Sequence, residues 1–371
     1  MQAGTVLMAG ALLALVGTQA QAQAPTAKAG VPQFQVDALW PKDLPNNWLL
    51  GQVSGITTDR NNNVWLVNRP GSLSKRELAA ELKPPEAKCC TTPPAVIVLD
   101  QAGNVIKHWG GPGQGYNWPK SEHGIYIDDN DFVWLAGNDK TDGQLLKFTM
   151  DGKFVMQIGK PVPGPDSNAT DRLGSPADIA VDVVAKEVFV ADGYGNRRVV
   201  VFDSETGAYK RHWGAYGNRP SDDKTAAYDP SKPPSQQFGN PVHCVRIAKD
   251  GLVYVCDRTN DRLQVFRKDG TFVAEYFFEK ETRMNGSVYE IAFSPDPEQK
   301  YIYMVDGSNG EIRIVERSNM QTVGRFGRIG RQAGQFTAVH NITVDRQGNI
   351  YTAEVQTGQR IQKFRRLDSA N

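Results

Sequence analysis

The sequence predicts an all-β chain folded as a six-bladed β-propeller over residues 31–368, and three observations carry that prediction. One pattern recurs six times: an alternating strand, an Asp-rich turn, a second strand, another turn and a third strand. Within each copy apolar and polar residues alternate with period two, as half-buried strands require. Asp-Gly, Gln-Gly and Asn-rich tips separate the strands, where hairpins need residues that tolerate left-handed backbone. Six copies of three or four strands each fit radial blades better than a two-sheet sandwich.

In chain order, SGITTDRNNNVWLVN begins at Ser54, and EHGIYIDDNDFVWLAG carries its anchor at His123. PADIAVDVVAKEVFVADG is anchored at Ala177 and VHCVRIAKDGLVYVCD at His243. VYEIAFSPDPEQKYIYMVDG follows at Tyr289 and VHNITVDRQGNIYTAE at His340. The third strands read AVIVLDQAG, QLLKFTMDG, RVVVFDSETG, RLQVFRKDG, EIRIVERSN and RIQKFRRL. The last copy has no fourth strand of its own, so residues 32–39 (PQFQVDAL) are expected to supply it and remove the open sheet edge. The longest insertion, residues 70–94, holds SKRELAAEL, a helical-turn signal, and is expected to lie over one face of the ring. Residues 161–174 and 215–239 are polar, Pro/Gly-rich connections between blades.

Net charge is +1, from 42 Lys and Arg against 41 Asp and Glu. That balance leaves no electrostatic footprint for nucleic acid or an anionic membrane. Residues 6–16 (VLMAGALLALV), followed by small-residue AQA sites at 20–22 and 22–24, read as a signal peptide over residues 1–24, although no Lys or Arg precedes the apolar run. The chain is expected to be exported, periplasmic or secreted, with no membrane span after that segment, and monomeric. Cys244 and Cys256 flank the turn Lys249, Asp250, Gly251 symmetrically. Either they form a bridge across a hairpin, or all four cysteines are free, partly buried thiols; a bridge between the neighbours Cys89 and Cys90 is strained.

The chain has five histidines. His108 and His212 sit in KHWGG and RHWGA at outer blade edges and read as structural. His123, His243 and His340 share one register, the first residue of the innermost strand in copies 2, 4 and 6. Alternate blades of a six-fold ring lie about 120° apart, so equivalent positions on them converge on the axis. Three imidazoles with an open fourth position describe a catalytic zinc site, although imidazole also suits copper, nickel or iron. Arg69, Tyr194 (in DGYGNR) and Arg258 (in CDRTND) follow second strands where these meet the channel. Two guanidiniums hold a carboxylate by bidentate hydrogen bonds. A phenol beside them and a cation is expected to titrate below its usual range and act as a base.

These motifs resemble the lyase domain of the peptidylglycine α-amidating monooxygenases, the peptidyl-α-hydroxyglycine α-amidating lyases, among the NHL-repeat propellers. The resemblance runs over residues 51–364 and is strongest in GQVSGIT, HGIYIDDNDFVWL, FVADGYGNRRVV, CDRTNDRLQVF and VHNITVD. It implies zinc on His123, His243 and His340, a catalytic tyrosine at Tyr194 and active-site arginines at Arg69 and Arg258. It also implies a calcium ion on the carbonyls of Val53 and Ile125 and on an aspartate after the third histidine. Here that aspartate is Asn341, so the charge expected for calcium is missing. The function implied is C–N cleavage of an N-acyl α-hydroxyglycine, a small or peptide-derived substrate, to an amide and glyoxylate. Two alternatives stay open: metal-dependent hydrolysis of a lactone or ester, and a non-enzymatic propeller that binds a peptide, glycan or protein.

Overall fold

Six four-stranded antiparallel sheets make up the computed structural model, which describes Met1 and residues 30–367. The expected signal peptide lies outside the described residues. Blade 1 comprises Gln52–Thr58, Val64–Arg69, Val96–Leu99 and Val105–Trp109. Blade 2 comprises Glu122–Ile127, Phe132–Gly137, Gln144–Thr149 and Phe154–Gly159. Blade 3 holds Asp178–Asp182, Glu187–Asp192, Arg198–Asp203 and Tyr209–Trp213, and blade 4 holds Val242–Ile247, Val253–Asp257, Arg262–Phe266 and Phe272–Phe277. Blade 5 holds Glu290–Phe293, Tyr301–Asp306, Glu311–Glu316 and Gln321–Phe326. Blade 6 holds Val339–Val344, Ile350–Glu354 and Ile361–Leu367, and its outermost strand is Gln33–Val36. The pairing Gln33↔Leu367 through Val36↔Phe364 joins the first and last described strands and closes the ring as expected. Each innermost strand packs against the innermost strands of both neighbouring blades, so the six line one central channel.

The Asp-rich turns explain why the first hairpins form where they do. Asp59 Oδ1 accepts the backbone N–H groups of Asn61 and Asn63, while Oδ2 accepts Trp65 Nε1 at 3.0 Å. Asp128 does the same with Asn130, Phe132 and Trp134, and Asp345 with Gln347, Asn349 and the hydroxyl of Tyr351. One carboxylate thus caps the turn and anchors the aromatic that leads the second strand into the interblade core. Six hydrophobic clusters follow, one at each blade–blade interface. That between blades 3 and 4 packs Phe189, Trp213, Phe238, Val255 and Phe266, all nearly or wholly buried. Each such side chain contributes roughly 1.5–3 kcal/mol on burial.

A second repeated element stiffens the outer half of the blades. In blades 3 to 6 an acidic residue ending the second strand pairs with an arginine at or near the start of the third. The pairs are Asp192–Arg198 at 2.9 Å, Asp257–Arg262 at 2.7 Å, Asp306–Arg313 at 3.0 Å and Glu354–Arg360 at 2.5 Å.

Cys244 and Cys256 face each other in the first hairpin of blade 4, with Cα atoms 4.8 Å apart, and form a disulfide; Cys89 and Cys90 form the second. Both suit an oxidising compartment. The 70–94 insertion contains a 3₁₀ turn, Pro70–Ser72, and a single further turn. Ser74 and Glu77 cap that turn reciprocally, and Leu78 N–H reaches Ser74 O at 3.0 Å. Pro84 and Pro85 stand immediately beyond it and stop propagation. Among the described residues no helix is long and apolar enough to cross a membrane.

Candidate metal centre on the channel axis

His123, His243 and His340 are each the second residue of their innermost strand, one place later than the sequence reading set them. Each falls at a break in the pairing register with the second strand: between Glu122 and Ile125, Val242 and Cys244, and Val339 and Asn341. A β-bulge takes a residue out of the ladder and re-aims its side chain. Here it turns three imidazoles toward one another. Their ring centroids lie 4.7, 4.8 and 5.3 Å apart, and one ligand nitrogen from each falls within 4.8 Å of the other two. Among the described residues this is the one cluster of three or more His, Cys, Asp or Glu side chains able to hold a metal ion.

Backbone carbonyls of the odd blades orient the rings. His123 Nδ1 donates to Ala177 O at 2.7 Å, His243 Nδ1 to Tyr289 O at 2.6 Å and His340 Nδ1 to Ser54 O at 2.9 Å. The acceptors are the anchor residues of blades 3, 5 and 1, so each histidine is held by the next blade around the ring. Gly124 permits this approach, because a Cβ there would stand 2.7 Å from Ala177 O. A carbonyl only accepts, so each Nδ1 carries the hydrogen. Burial lowers the basicity of all three rings. His123 and His243 titrate well below the usual histidine range, the neighbouring His340 adding to the effect; His340 is driven to about 3 by burial and then by Arg69 and Arg258. The rings are therefore neutral, and every Nε2 presents a lone pair.

Those lone pairs meet. His243 Nε2 lies 3.0 Å from His340 Nε2, two acceptors face to face. The Tyr194 hydroxyl lies 3.0 Å from His123 Nε2 and 3.1 Å from His243 Nε2, and its single proton serves one of them. Two buried acceptors thus compete for one donated hydrogen and the third, His340 Nε2, faces only another lone pair, an arrangement costly in the absence of a cation. The donor set fits a metal held by three imidazoles whose other nitrogens are fixed by hydrogen bonds.

Tyr194 is delivered by Gly193, where any Cβ would collide with the backbone of Val242. Burial raises its phenol above the usual range; Arg258 and Arg69 pull it down, as the sequence suggested, but burial outweighs them. Arg258 Nη1 approaches the Tyr194 hydroxyl at 3.4 Å, its guanidinium stacks 4.6 Å over the Tyr289 ring, and its Nε is buried without a partner. Arg69 is more committed: Nε donates to Glu122 O at 2.7 Å, Nη1 to Gln52 Oε1 at 3.1 Å and Nη2 to Asn138 Oδ1 at 3.0 Å. Two of its five N–H groups remain for a ligand.

Of the residues expected to hold calcium, Val53, Ile125 and Asn341 are all buried. Asn341 Nδ2 donates to Glu290 Oε2 at 3.1 Å, and its Oδ1 has no partner. His108 and His212 lie on outermost strands, as anticipated: one meets the Trp48 ring edge-on and the other pairs with Tyr209. Sequence reasoning missed Tyr289, which walls the site 5.6 Å from His243 between ring centroids. The signal was available, since Tyr289 occupies the anchor register of copy 5. A cavity of about 150 Å³ opens beside Tyr289, bordered by Met284, Thr337 and Val355. A larger one, about 880 Å³, lies between blades 4 and 5 and is lined by none of the site residues.

No protein-family model matches the chain. It is 26% identical to the peptidylglycine alpha-amidating monooxygenase of Rattus norvegicus over 335 residues, 85% of this chain and 30% of that protein. The chain thus spans less than a third of the length of the monooxygenases it matches. It is 29% identical to a probable peptidyl-alpha-hydroxyglycine alpha-amidating lyase of Caenorhabditis elegans, over 58% of this chain and 56% of that one. It is 24% identical to NHL repeat-containing protein 3 of Mus musculus, over 90% of this chain and 84% of that one. Among solved structures, a streptogramin B lyase superposes with a TM-score of 0.52 at 13% identity, covering 91% of this chain and 98% of that one, a likeness of fold alone. The chain is a six-bladed β-propeller whose relatives include amidating monooxygenases, an amidating lyase and an NHL-repeat protein.

Proposed function

We propose that the chain is a metal-dependent lyase that breaks the C–N bond of an N-acyl α-hydroxyglycine to give an amide and glyoxylate. The observation that carries this reading is the convergence of three imidazole Nε2 lone pairs, two of them on the Tyr194 hydroxyl and the third, that of His340, on His243 Nε2, with Arg258 on that same hydroxyl. His123, His243 and His340 would hold the metal, with zinc the ion their chemistry suits; bound there, it supplies Lewis acidity that makes a substrate hydroxyl easier to deprotonate.

The chain's own groups do the rest. Arg258, with most of its N–H groups free, and Arg69, with two, bind the substrate carboxylate and aim its carbinol at Tyr194. With a cation on the three imidazoles, Tyr194 would be favoured as the phenolate, and in that form it accepts the proton of the carbinol hydroxyl. The oxygen's electron pair then forms the aldehyde C=O of glyoxylate while the C–N bond breaks. The departing pair stays on the amide nitrogen, which receives the proton that Tyr194 carried. Atoms and charge balance without water or a redox partner.

The test is glyoxylate release from N-acyl α-hydroxyglycines by the zinc-reconstituted chain, with Tyr194→Phe beside it. The variant is expected to keep its metal and lose about 10²–10⁴-fold in turnover. Absence of glyoxylate from the wild type, or an unimpaired variant, defeats the reading. A panel of lactones and esters assayed in parallel distinguishes hydrolysis on the same site. The remaining alternative is a non-enzymatic propeller that binds a peptide, glycan or protein. That reading leaves the opposed imidazole acceptors without a role.

A further inference from the structure

One to three residues past the anchor register, a second set of polar side chains runs around the channel on four successive blades. Asp178 comes from blade 3, Arg246 from blade 4, Glu290 from blade 5 and Asn341 from blade 6. The Arg246 guanidinium pairs with Asp178 Oδ2 on one side and with Glu290 Oε1, at 3.1 Å, on the other. It also donates to the carbonyls of Ile179 and Val245, at 3.3 and 2.9 Å. Val245 N–H supports Asp178 Oδ2 at 3.0 Å, Ile291 N–H supports Glu290 Oε1 at 3.0 Å, and Asn341 Nδ2 completes the arc on Glu290 Oε2 at 3.1 Å. Asp178, Glu290 and Asn341 are buried, and the Arg246 side chain is only 15% exposed.

This arc ends on Asn341, one of the three positions at which the resemblance implies a second cation, and it does not fit calcium. Calcium takes six to eight oxygens, and its affinity follows the number of charged ligands. Asn341 supplies one neutral oxygen where a carboxylate is implied. The two carboxylates nearest to it along the arc are already committed to Arg246. A fixed positive charge held among poorly solvated groups also repels a divalent ion more strongly than it would in water.

We propose that Arg246 takes the place of the second cation. Its guanidinium is a counter-charge built into the chain. It ties blades 3, 4 and 5 together directly and reaches blade 6 through Glu290 and Asn341, so the ring closes around the histidines without calcium. The inference is independent of which reaction the histidine site performs.

The test uses the full chain as purified, dialysed free of calcium, and follows both binding of radioactive calcium at equilibrium and the melting temperature. The wild type is expected to show no saturable binding below about millimolar calcium and no calcium-dependent rise in melting. Saturable binding at micromolar calcium with a higher melting temperature would overturn the proposal. Arg246→Met, which strands Asp178 and Glu290, is expected to melt several degrees lower and to regain part of the loss in calcium but not in sodium chloride of equal ionic strength. If that variant does not fold, Arg246→Met combined with Glu290→Gln leaves one stranded carboxylate instead of two and takes the same measurement. A folded variant that melts like the wild type, or whose melting ignores calcium, contradicts the counter-charge role.

Discussion

The blade walls and the channel axis both bury polar groups, to opposite ends. In the walls every carboxylate of the repeated pairs meets its guanidinium, and Arg198 adds bonds to the carbonyls of Ser167, Ala169 and Arg172. At the axis two imidazole acceptors compete for one hydroxyl proton, a third faces only another lone pair, and Arg258 Nε finds no partner. Satisfied networks rigidify a fold, whereas buried groups left short of partners mark where something outside the chain supplies the missing contact. The repeated wall pairs are closed among themselves, whereas at the axis acceptor faces acceptor.

Breaking the wall without touching the axis gives the largest effect on stability. Arg198→Met leaves Asp192 fully buried without its cation and is expected to cost about 3–5 kcal/mol, read by denaturant unfolding. Metal content should be unchanged in the molecules that remain folded. Loss of metal with the fold intact would show that walls and axis are coupled and that the division is false.

A smaller effect sharpens the contrast, because one wall carboxylate breaks the pattern. Asp261 Oδ1 accepts Ser287 N–H at 2.7 Å, but Oδ2 is buried with no partner, and burial pushes its carboxyl up to about 7. Folded Asp261 therefore holds its proton more tightly than the unfolded chain does. The stability this brings is complete in acid, below the ordinary carboxylate range, and is lost as pH rises through about 7. Asp261→Asn keeps a residue tolerant of the left-handed backbone at φ 52° and is expected to gain about 1–2 kcal/mol at pH 8. Melting at pH 5 and pH 8 should separate for the wild type and converge for the variant. A variant less stable at pH 8 would mean that Oδ2 is not the weak point.

The propeller was legible because its signals are local: period-two alternation, Asp-capped hairpins and a strand near residue 33 without a partner of its own. The histidines were legible because so few are present and three share one register. The disulfide of blade 4 was half legible, since symmetry about the Lys249–Gly251 turn placed Cys244 opposite Cys256 while leaving free thiols open. The β-bulges that turn the imidazoles inward leave no trace in the hydrophobic pattern. The carbonyls of Ser54, Ala177 and Tyr289 are backbone, so no side-chain type announces them. Arg246 carries no signal in the sequence, because its partners stand on other blades and only the closed ring brings them together. The helical turn after Ser74 was legible from its capping pair, and the two prolines beyond it keep it to a turn.

The most direct measurement is the metal content of the purified chain beside His243→Ala, by elemental analysis. About one transition-metal ion per wild-type chain is expected, zinc foremost, falling to a small fraction in the variant while its melting stays cooperative. A wild type free of metal even after incubation with zinc, or a variant that keeps the full complement, would contradict the claim that the three imidazoles gather around a common cation.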